Sequence, residues 1–136
     1  MHTPLPTELY WLTLTIIMTA LMWIPYIVNR LIEDSPWPAL MNPQPDLKPK
    51  AQWAERLMRA HANAVENLVI FAPLVLTLQM IGNSTTLTAS ACMLYFFARI
   101  SHVLLYTFGV PFFRTVAFFI GFLCQMTLGL SIVGAI

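Results

Sequence analysis

Polar and ionisable side chains between Glu55 and Glu66 lead directly into an apolar stretch that is long enough to enter a bilayer. Glu55, Arg59, Asn63 and Glu66 follow one another at steps of four, four and three residues, so they share one face of a helix. Ionisable groups at membrane depth are costly, and they usually face a bundle interior and carry function. This face could hold a polar, zwitterionic small molecule. The alternative is a polar network that only joins helices.

The same segment carries a second polar row formed by Arg56, Asn63 and Asn67. His61 lies five residues before Glu66, and both cysteines are remote from it. A zinc site needs clustered His, Cys or carboxylate ligands at tight spacing, so we expect no metal. No glycine-rich phosphate loop, serine elbow or convincing haem-binding pair of histidines is present. A proton relay through an intramembrane Glu66 stays open as an alternative.

A later apolar segment supplies what could be the second half of a site. Arg99, His102 and Tyr106 are three and four residues apart, which places them on one helical face. Arg114 and Thr115 begin the last apolar segment. Each of these has an ordinary interpretation when taken alone: a packed histidine, an aromatic-belt tyrosine or an arginine that extends to lipid phosphates. Arg99 on the same face as His102 leaves a ligand site and ordinary packing equally open.

The composition is that of an integral membrane protein. Of the 136 residues, 58% are hydrophobic and 10% are charged, and the mean hydropathy is +0.71, whereas soluble domains carry roughly 25% charged residues. We expect one domain over residues 1–136. The stretch Met1–Glu8 lacks a basic region and a cleavage site, so the first apolar segment should stay as an anchor. Cys92 and Cys124 lie in apolar runs and should be inert buried thiols. A net charge of +1 gives no indication of a nucleic-acid partner.

Four apolar segments predict four transmembrane helices, and hence an all-α bundle. They run from about Leu9 to Val28, Leu57 to Ile81, Leu87 to Phe108 and Phe112 to Ile136. Five prolines between Glu33 and Lys50 predict a loop rather than a helix there. Turns are predicted at Gly82 and Gly109, and kinks at Pro25 and Pro73.

The basic residues predict an orientation in the membrane. All seven flank the first or the third connection: Arg30, Lys48, Lys50, Arg56, Arg59, Arg99 and Arg114. The connection from Gly82 to Thr86 and the segment after Arg114 carry no charge. The positive-inside rule then places the first and third loops in the cytoplasm and both termini on the opposite side.

The motif in the second segment resembles the signature of the MAPEG family, the membrane-associated proteins of eicosanoid and glutathione metabolism. The matching run is Glu55-Arg56-x-x-Arg59-Ala60-His61-x-Asn63-x-x-Glu66-Asn67, followed by Phe71. The likeness continues through Ala98-Arg99-Ile100-Ser101-His102 and Tyr106, and then from Arg114 to Gly121. Within the family the pattern looks closest to microsomal glutathione transferases.

The resemblance implies a four-helix bundle that forms a homotrimer, with glutathione as cosubstrate between neighbouring subunits and a lipophilic second substrate from the membrane. By resemblance, the glutathione-binding residues would be Arg30, Arg59, Asn63, Glu66, His102 and Tyr106. Arg114 and Thr115 would meet the sulfur as catalytic residues, and the supporting residues would be Glu55, Arg56, His61, Asn67 and Arg99.

Two positions depart from what some relatives carry. Ala62 stands where some members have a polar residue, and Phe118 stands where the leukotriene and prostaglandin enzymes have tyrosine. The departures disfavour specialised eicosanoid chemistry and leave a general transferase or peroxidase as the expected function. The alternative is a MAPEG-like protein that binds lipid or a partner without catalysis.

Overall fold

A computed structural model describes residues 4–41 and 48–136, apart from the side chain of Ala39. In these parts of the chain all regular structure is helical: α1 (Thr7–Leu21), α2 (Trp23–Asp34), α3 (Pro36–Leu40), α4 (Gln52–Met80), α5 (Thr86–Thr107) and α6 (Pro111–Ile132). Four stretches are long and apolar enough to cross a membrane: Thr7–Asp34, Gln52–Met80, Thr86–Thr107 and Pro111–Ile132. The predicted all-α membrane fold with four spans is therefore confirmed.

The first span differs from the prediction at its carboxyl end. It continues to Asp34 instead of ending near Val28, and the segment from Pro36 to Leu40 is a short helix. The prediction of a loop throughout Glu33–Lys50 was wrong at these residues, and positions 42–47 lie outside the described residues. Proline at the first position of a helix is well tolerated, because its missing N–H would have no partner there.

Pro25 accounts for the break between α1 and α2. The last residue of α1 is Leu21, four residues earlier, and a proline ring cannot donate to the carbonyl of that residue. At the predicted kink the first span is thus divided into two helices. Pro73 lies inside α4, which continues through it as one helix.

The helices α4 and α5 form the centre of the bundle, since each packs against both α1 and α6 as well as against the other. The aromatic ring of Phe71 stacks on that of Tyr95, with ring centres 3.8 Å apart. This stack belongs to an apolar core, whose buried members are Leu12, Phe71, Val75, Leu78, Ala91, Cys92, Tyr95, Cys124 and Leu128. A second apolar cluster contains Met22, Leu57, Ala60, Ala64 and Val103. The polar start of α4 is thus helical because its small and apolar residues pack in the bundle.

A buried carboxylate cross-links the start of α1 with the end of α4. Glu8, in the first turn of α1, is only 2% exposed. It accepts a hydrogen bond of 3.0 Å from Gln79 Nε2 and another from the Ser84 hydroxyl. These contacts tie α1 to the end of α4 and to the following turn.

Candidate functional site

Two adjoining cavities open where α4, the end of α5 and the start of α6 meet. The outer cavity, of about 460 Å³, is lined by Gln52, Glu55, Arg56, Arg59, Tyr106, Gly109, Pro111 and Arg114. The inner cavity, of about 230 Å³, is lined by Asn63, His102, Tyr106, Arg114, Thr115 and Phe118. Tyr106 and Arg114 belong to both walls, so the two cavities adjoin, and they are here called the joined cavities. The structure therefore brings together predicted residues from three helices.

The first polar row of α4 divides between this site and the outer surface of the subunit. Glu55 and Arg59 form an ion pair of 3.1 Å in the outer cavity, and the Arg59 side chain is 63% exposed. Asn63 lines the inner cavity. Glu66 lies outside both walls, exposed on the subunit surface. Three of the four residues predicted to act together thus lie in the cavity walls of a single subunit.

Arg56 holds the end of α5 against α4. Its guanidinium donates to the carbonyl of Thr107 at 3.3 Å and to Gln52 Oε1 at 3.1 Å. Gly109 has a φ of +75°, and a Cβ atom there would lie 3.1 Å from the Arg56 Cζ atom. Glycine is therefore needed at this turn both for its backbone conformation and for the space that the guanidinium occupies.

The predicted face of α5 is mostly buried. Arg99 is 2% exposed and His102 is 3% exposed, whereas Tyr106 is half-buried. The Nη2 atom of Arg99 donates to Asn63 Oδ1 at 2.7 Å. Across the described ranges, no carboxylate lies within ion-pair distance of Arg99. Arg99 therefore contributes an unneutralised positive charge beside Asn63, which lines the inner cavity.

A polar ladder, formed by Asn63, Asn67, Gln125 and Tyr95, continues from the cavity into the core. Asn67 Nδ2 donates to Asn63 Oδ1 at 3.2 Å. Gln125 Nε2 donates to the Asn67 carbonyl at 3.3 Å and contacts the Tyr95 hydroxyl at 3.4 Å. Gln125 and Tyr95 were not among the predicted site residues. An amide inside the apolar run of α6 was the signal that could have identified Gln125.

Arg114 is held by aromatic contact. Its guanidinium carbon lies 4.4 Å from the centre of the Tyr106 ring, which is cation–π distance. Tyr106 packs edge-on against His102, with ring centres 5.6 Å apart, and Phe118 approaches His102 at 6.1 Å. The Thr115 hydroxyl donates to the Pro111 carbonyl at 3.2 Å, and its oxygen can still accept a hydrogen bond.

Arg30 and His61 lie in a different place. Arg30 lines a separate small cavity of about 50 Å³ with Tyr26, Glu33, Lys48 and neighbouring residues. The Tyr26 hydroxyl is hydrogen-bonded to His61 Nδ1 at 2.8 Å, which joins α2 to α4. Within one subunit, Arg30 lines neither the outer nor the inner cavity.

The charge of the joined cavities indicates the class of ligand they suit. Arg56, Arg59 and Arg114 line them and Arg99 donates to Asn63 in their wall, whereas Glu55 is the one carboxylate of the walls. Guanidinium groups bind carboxylates by charge-assisted and often bidentate hydrogen bonds. In the described part of the chain, no group of three or more metal-ligating side chains is found. The excess of arginine over carboxylate in these walls suits the site to an anionic ligand.

Comparison with known proteins gives a family match over nearly the whole chain. The model of the MAPEG family matches residues 9–134. No curated protein matches the chain.

Proposed function

The chain belongs to the MAPEG family, and on this premise we propose that it is a membrane-bound glutathione transferase that also reduces lipophilic hydroperoxides. The family is one of membrane-associated proteins in eicosanoid and glutathione metabolism. The observation that carries the proposal is the excess of arginine around the joined cavities, where Arg56, Arg59 and Arg114 outnumber the single carboxylate of Glu55.

Glutathione has the charges that this site can satisfy. It carries two carboxylates, one ammonium group and one thiol. Arg59 and the Asn63 amide would bind carboxylate oxygens, and Glu55 or Glu66 could accept the ammonium group. His102 and Tyr106 would contact the tripeptide from the wall that α5 forms.

Arg114 would supply the cation that activates the thiol. A free thiol has a pKa of about 8.5, and an adjacent cation lowers that pKa and increases the reactive thiolate fraction. The thiol proton would pass to solvent, and the thiolate sulfur would attack an electrophilic carbon. A carbon–sulfur bond then forms while the bond to the leaving group breaks, and the leaving group departs with the electron pair. Arg114 faces both cavities, so it can stay beside the sulfur during this step.

A hydroperoxide would react with the same thiolate. The sulfur attacks the terminal peroxide oxygen, so that an S–O bond forms and the O–O bond breaks, and the alkoxide takes a proton from solvent and leaves as an alcohol. The thiol of a second glutathione then attacks the sulfur of the resulting sulfenic acid and displaces water, which gives glutathione disulfide. Phe118 lines the inner cavity and is exposed, as are other apolar side chains of α6. A lipophilic substrate could reach the sulfur along this surface from the membrane.

Glu66 supports self-association, which we propose yields a homotrimer. It lies at the middle of α4, fourteen residues from Gln52 and from Met80, or about 21 Å from either end. An exposed carboxylate at that depth would be costly against lipid, so another protein surface should cover it. Glutathione would then lie between neighbouring subunits, where Arg30 and Glu66 could complete the site. Crosslinking and native mass spectrometry in mild detergent should show trimers, and monomers alone would overturn this assembly.

Calorimetry on purified protein tests the function. Glutathione should bind, and Arg59→Ala or Glu66→Ala should each weaken binding by about 1.5–3 kcal/mol, the scale of a hydrogen bond to a charged group. Absence of binding to well-folded oligomer would contradict the transferase proposal.

A non-catalytic scaffold is the rival, and the Arg59–Glu55 ion pair gives it some support because it joins two predicted ligand residues within one helix. Under the rival, the same substitutions would lower the melting temperature equally with and without glutathione. Under our proposal, they would reduce the rise in melting temperature that glutathione produces in the wild type.

A further inference from the structure

Arg99 is a buried cation whose structural partners do not balance its charge. It is 2% exposed, and its Nη2 atom donates to Asn63 Oδ1 at 2.7 Å. Its Nη1 atom is buried without a hydrogen-bond partner, and no carboxylate of the described segments forms an ion pair with it. Burying an unpaired cation is costly, and apolar residues of similar volume would pack here more cheaply. Such a position indicates a role beyond stability.

The contact with Arg99 determines how the Asn63 amide is turned. Asn63 Oδ1 accepts from Arg99 Nη2 and from Asn67 Nδ2, the latter at 3.2 Å. Reversing the amide would place its NH₂ group against two donors, which hydrogen-bond chemistry excludes. The Asn67 amide is oriented in turn by Gln125, whose Nε2 atom donates to Asn67 Oδ1 at 3.4 Å. The Asn63 NH₂ group is therefore left to donate elsewhere, and Asn63 lines the inner cavity.

A second buried polar atom lies on the same face of α5. His102 is 3% exposed, lines the inner cavity, and has a buried Nδ1 atom without a partner. Arg99 and His102 are three residues apart and thus lie side by side on the helix. Both are at least nine-tenths buried, and both leave hydrogen-bonding capacity unused beside an open cavity.

We propose that Arg99 is a positioning residue that presents the Asn63 amide as a hydrogen-bond donor and, through its uncompensated charge, makes the inner cavity selective for a carboxylate. The inference rests on the proposed function, since the carboxylate would be one of the two in glutathione. A neutral amide of the same shape could accept the hydrogen bond from Asn63. It could not balance the Arg99 charge, which acts strongly in a medium of low dielectric constant.

Two monoamides of glutathione test this selectivity, one with the glycyl carboxylate replaced and one with the γ-glutamyl α-carboxylate replaced. In the wild type, at least one of them should bind about tenfold or more weakly than glutathione, as expected for loss of a charged hydrogen-bond partner. We call this loss of affinity relative to glutathione the monoamide penalty. In Arg99→Met, the penalty for that monoamide should fall to near onefold, while the penalty for the other monoamide stays as in the wild type. Such a cycle isolates the coupling between one ligand carboxylate and Arg99.

Asn63→Asp provides a second measurement. The introduced carboxylate would face Arg99 at ion-pair distance, so it should neutralise that charge and remove the amide donor. We expect an unchanged or higher melting temperature together with at least tenfold weaker glutathione binding. A folded Asn63→Asp protein with full affinity for glutathione would overturn the inference. This test remains decisive if Arg99→Met does not fold.

Glu8→Met is the matched control, because Glu8 is another buried ionisable residue and lies at the opposite end of the bundle. It should lower the melting temperature and leave both monoamide penalties unchanged. If Arg99→Met folds and keeps both monoamide penalties of the wild type, the inference is overturned while the proposed function stands. Failure of the wild type to bind glutathione would overturn the proposed function and, with it, the inference.

Discussion

The Arg114 guanidinium lies 4.4 Å from the centre of the Tyr106 ring, and this contact spans the turn between α5 and α6. Both residues line both cavities, so the stacked pair stands where the cavities join. An aromatic face attracts a guanidinium without neutralising its charge. Among the described residues Arg114 has no carboxylate partner, so its charge stays available to an anionic ligand.

The first prediction concerns the role of Arg114 in turnover. Arg114→Ala should reduce turnover with a halogenated nitrobenzene far more than it weakens glutathione binding, because the lost interaction is made mainly with the reactive thiolate. Arg114→Lys should recover only part of the activity, since an ammonium cannot reproduce the guanidinium fork. Thr115→Ala should have a smaller effect. An ultraviolet thiolate band of equal size in the wild type and Arg114→Ala would show that the assignment is wrong.

The Tyr106 ring should matter more than its hydroxyl for the placement of this cation. Tyr106→Phe keeps an aromatic face beneath Arg114, whereas Tyr106→Leu removes it. We expect near wild-type turnover for Tyr106→Phe and a loss of several-fold for Tyr106→Leu, consistent with about 0.5–2 kcal/mol for a cation–π contact. Steady-state kinetics on the two purified variants makes the comparison. Equal losses in both would assign the role to the hydroxyl instead.

Gly109 and Gly82 form a matched pair for testing the contact with Arg56. Both have positive φ values, +75° and +69°, so alanine strains either turn to a similar extent. Only at Gly109 would the new Cβ press on a guanidinium, at 3.1 Å; at Gly82 nothing lies within 4 Å. Gly109→Ala should therefore weaken glutathione binding as well as stability, and Gly82→Ala only stability. Calorimetry and thermal melting of both variants make the comparison. Equal losses of glutathione affinity in the two variants would contradict the prediction.

Glu8 should stabilise the fold without affecting the site. Glu8→Ala leaves Gln79 and Ser84 without their acceptor, which should cost about 1–3 kcal/mol. Glu8→Gln keeps an acceptor oxygen and should cost less. Thermal unfolding in detergent measures both, and glutathione affinity should stay constant. A change in affinity would mean that the two ends of the bundle are coupled.

Single cysteines can test the sidedness that the basic residues predict. Lys50 and Thr86 are exposed at the first and second connections, and the native Cys92 and Cys124 are buried and should give little background. In intact cells, a thiol reagent that cannot cross membranes should label Thr86→Cys and spare Lys50→Cys. Permeabilised cells should show labelling of both. Labelling of Lys50→Cys alone in intact cells would reverse the proposed orientation.

Much of the fold was predictable because its determinants are local. A run of about twenty apolar residues and a glycine or proline break specify a span and its end within a few residues, whatever the rest of the chain does. The extension of α4 back to Gln52 was less evident, since its first turns are polar and become helical by packing small residues such as Ala54 and Ala60. The short α3 was missed because a cluster of prolines usually indicates a loop.

Which polar side chains share a helical face also followed from the sequence alone, since that depends only on the helical repeat. Which faces meet was decided by tertiary structure. The hydrogen bond from Arg99 to Asn63 joins residues 36 apart in the chain, and Gln125 enters the ladder from a third helix. Asn63 lines the inner cavity, whereas Glu66 at the edge of the same row is exposed on the surface. The rotation of each helix about its axis is set by the packing of Phe71 on Tyr95 and by the cores around it, and no local pattern encodes it.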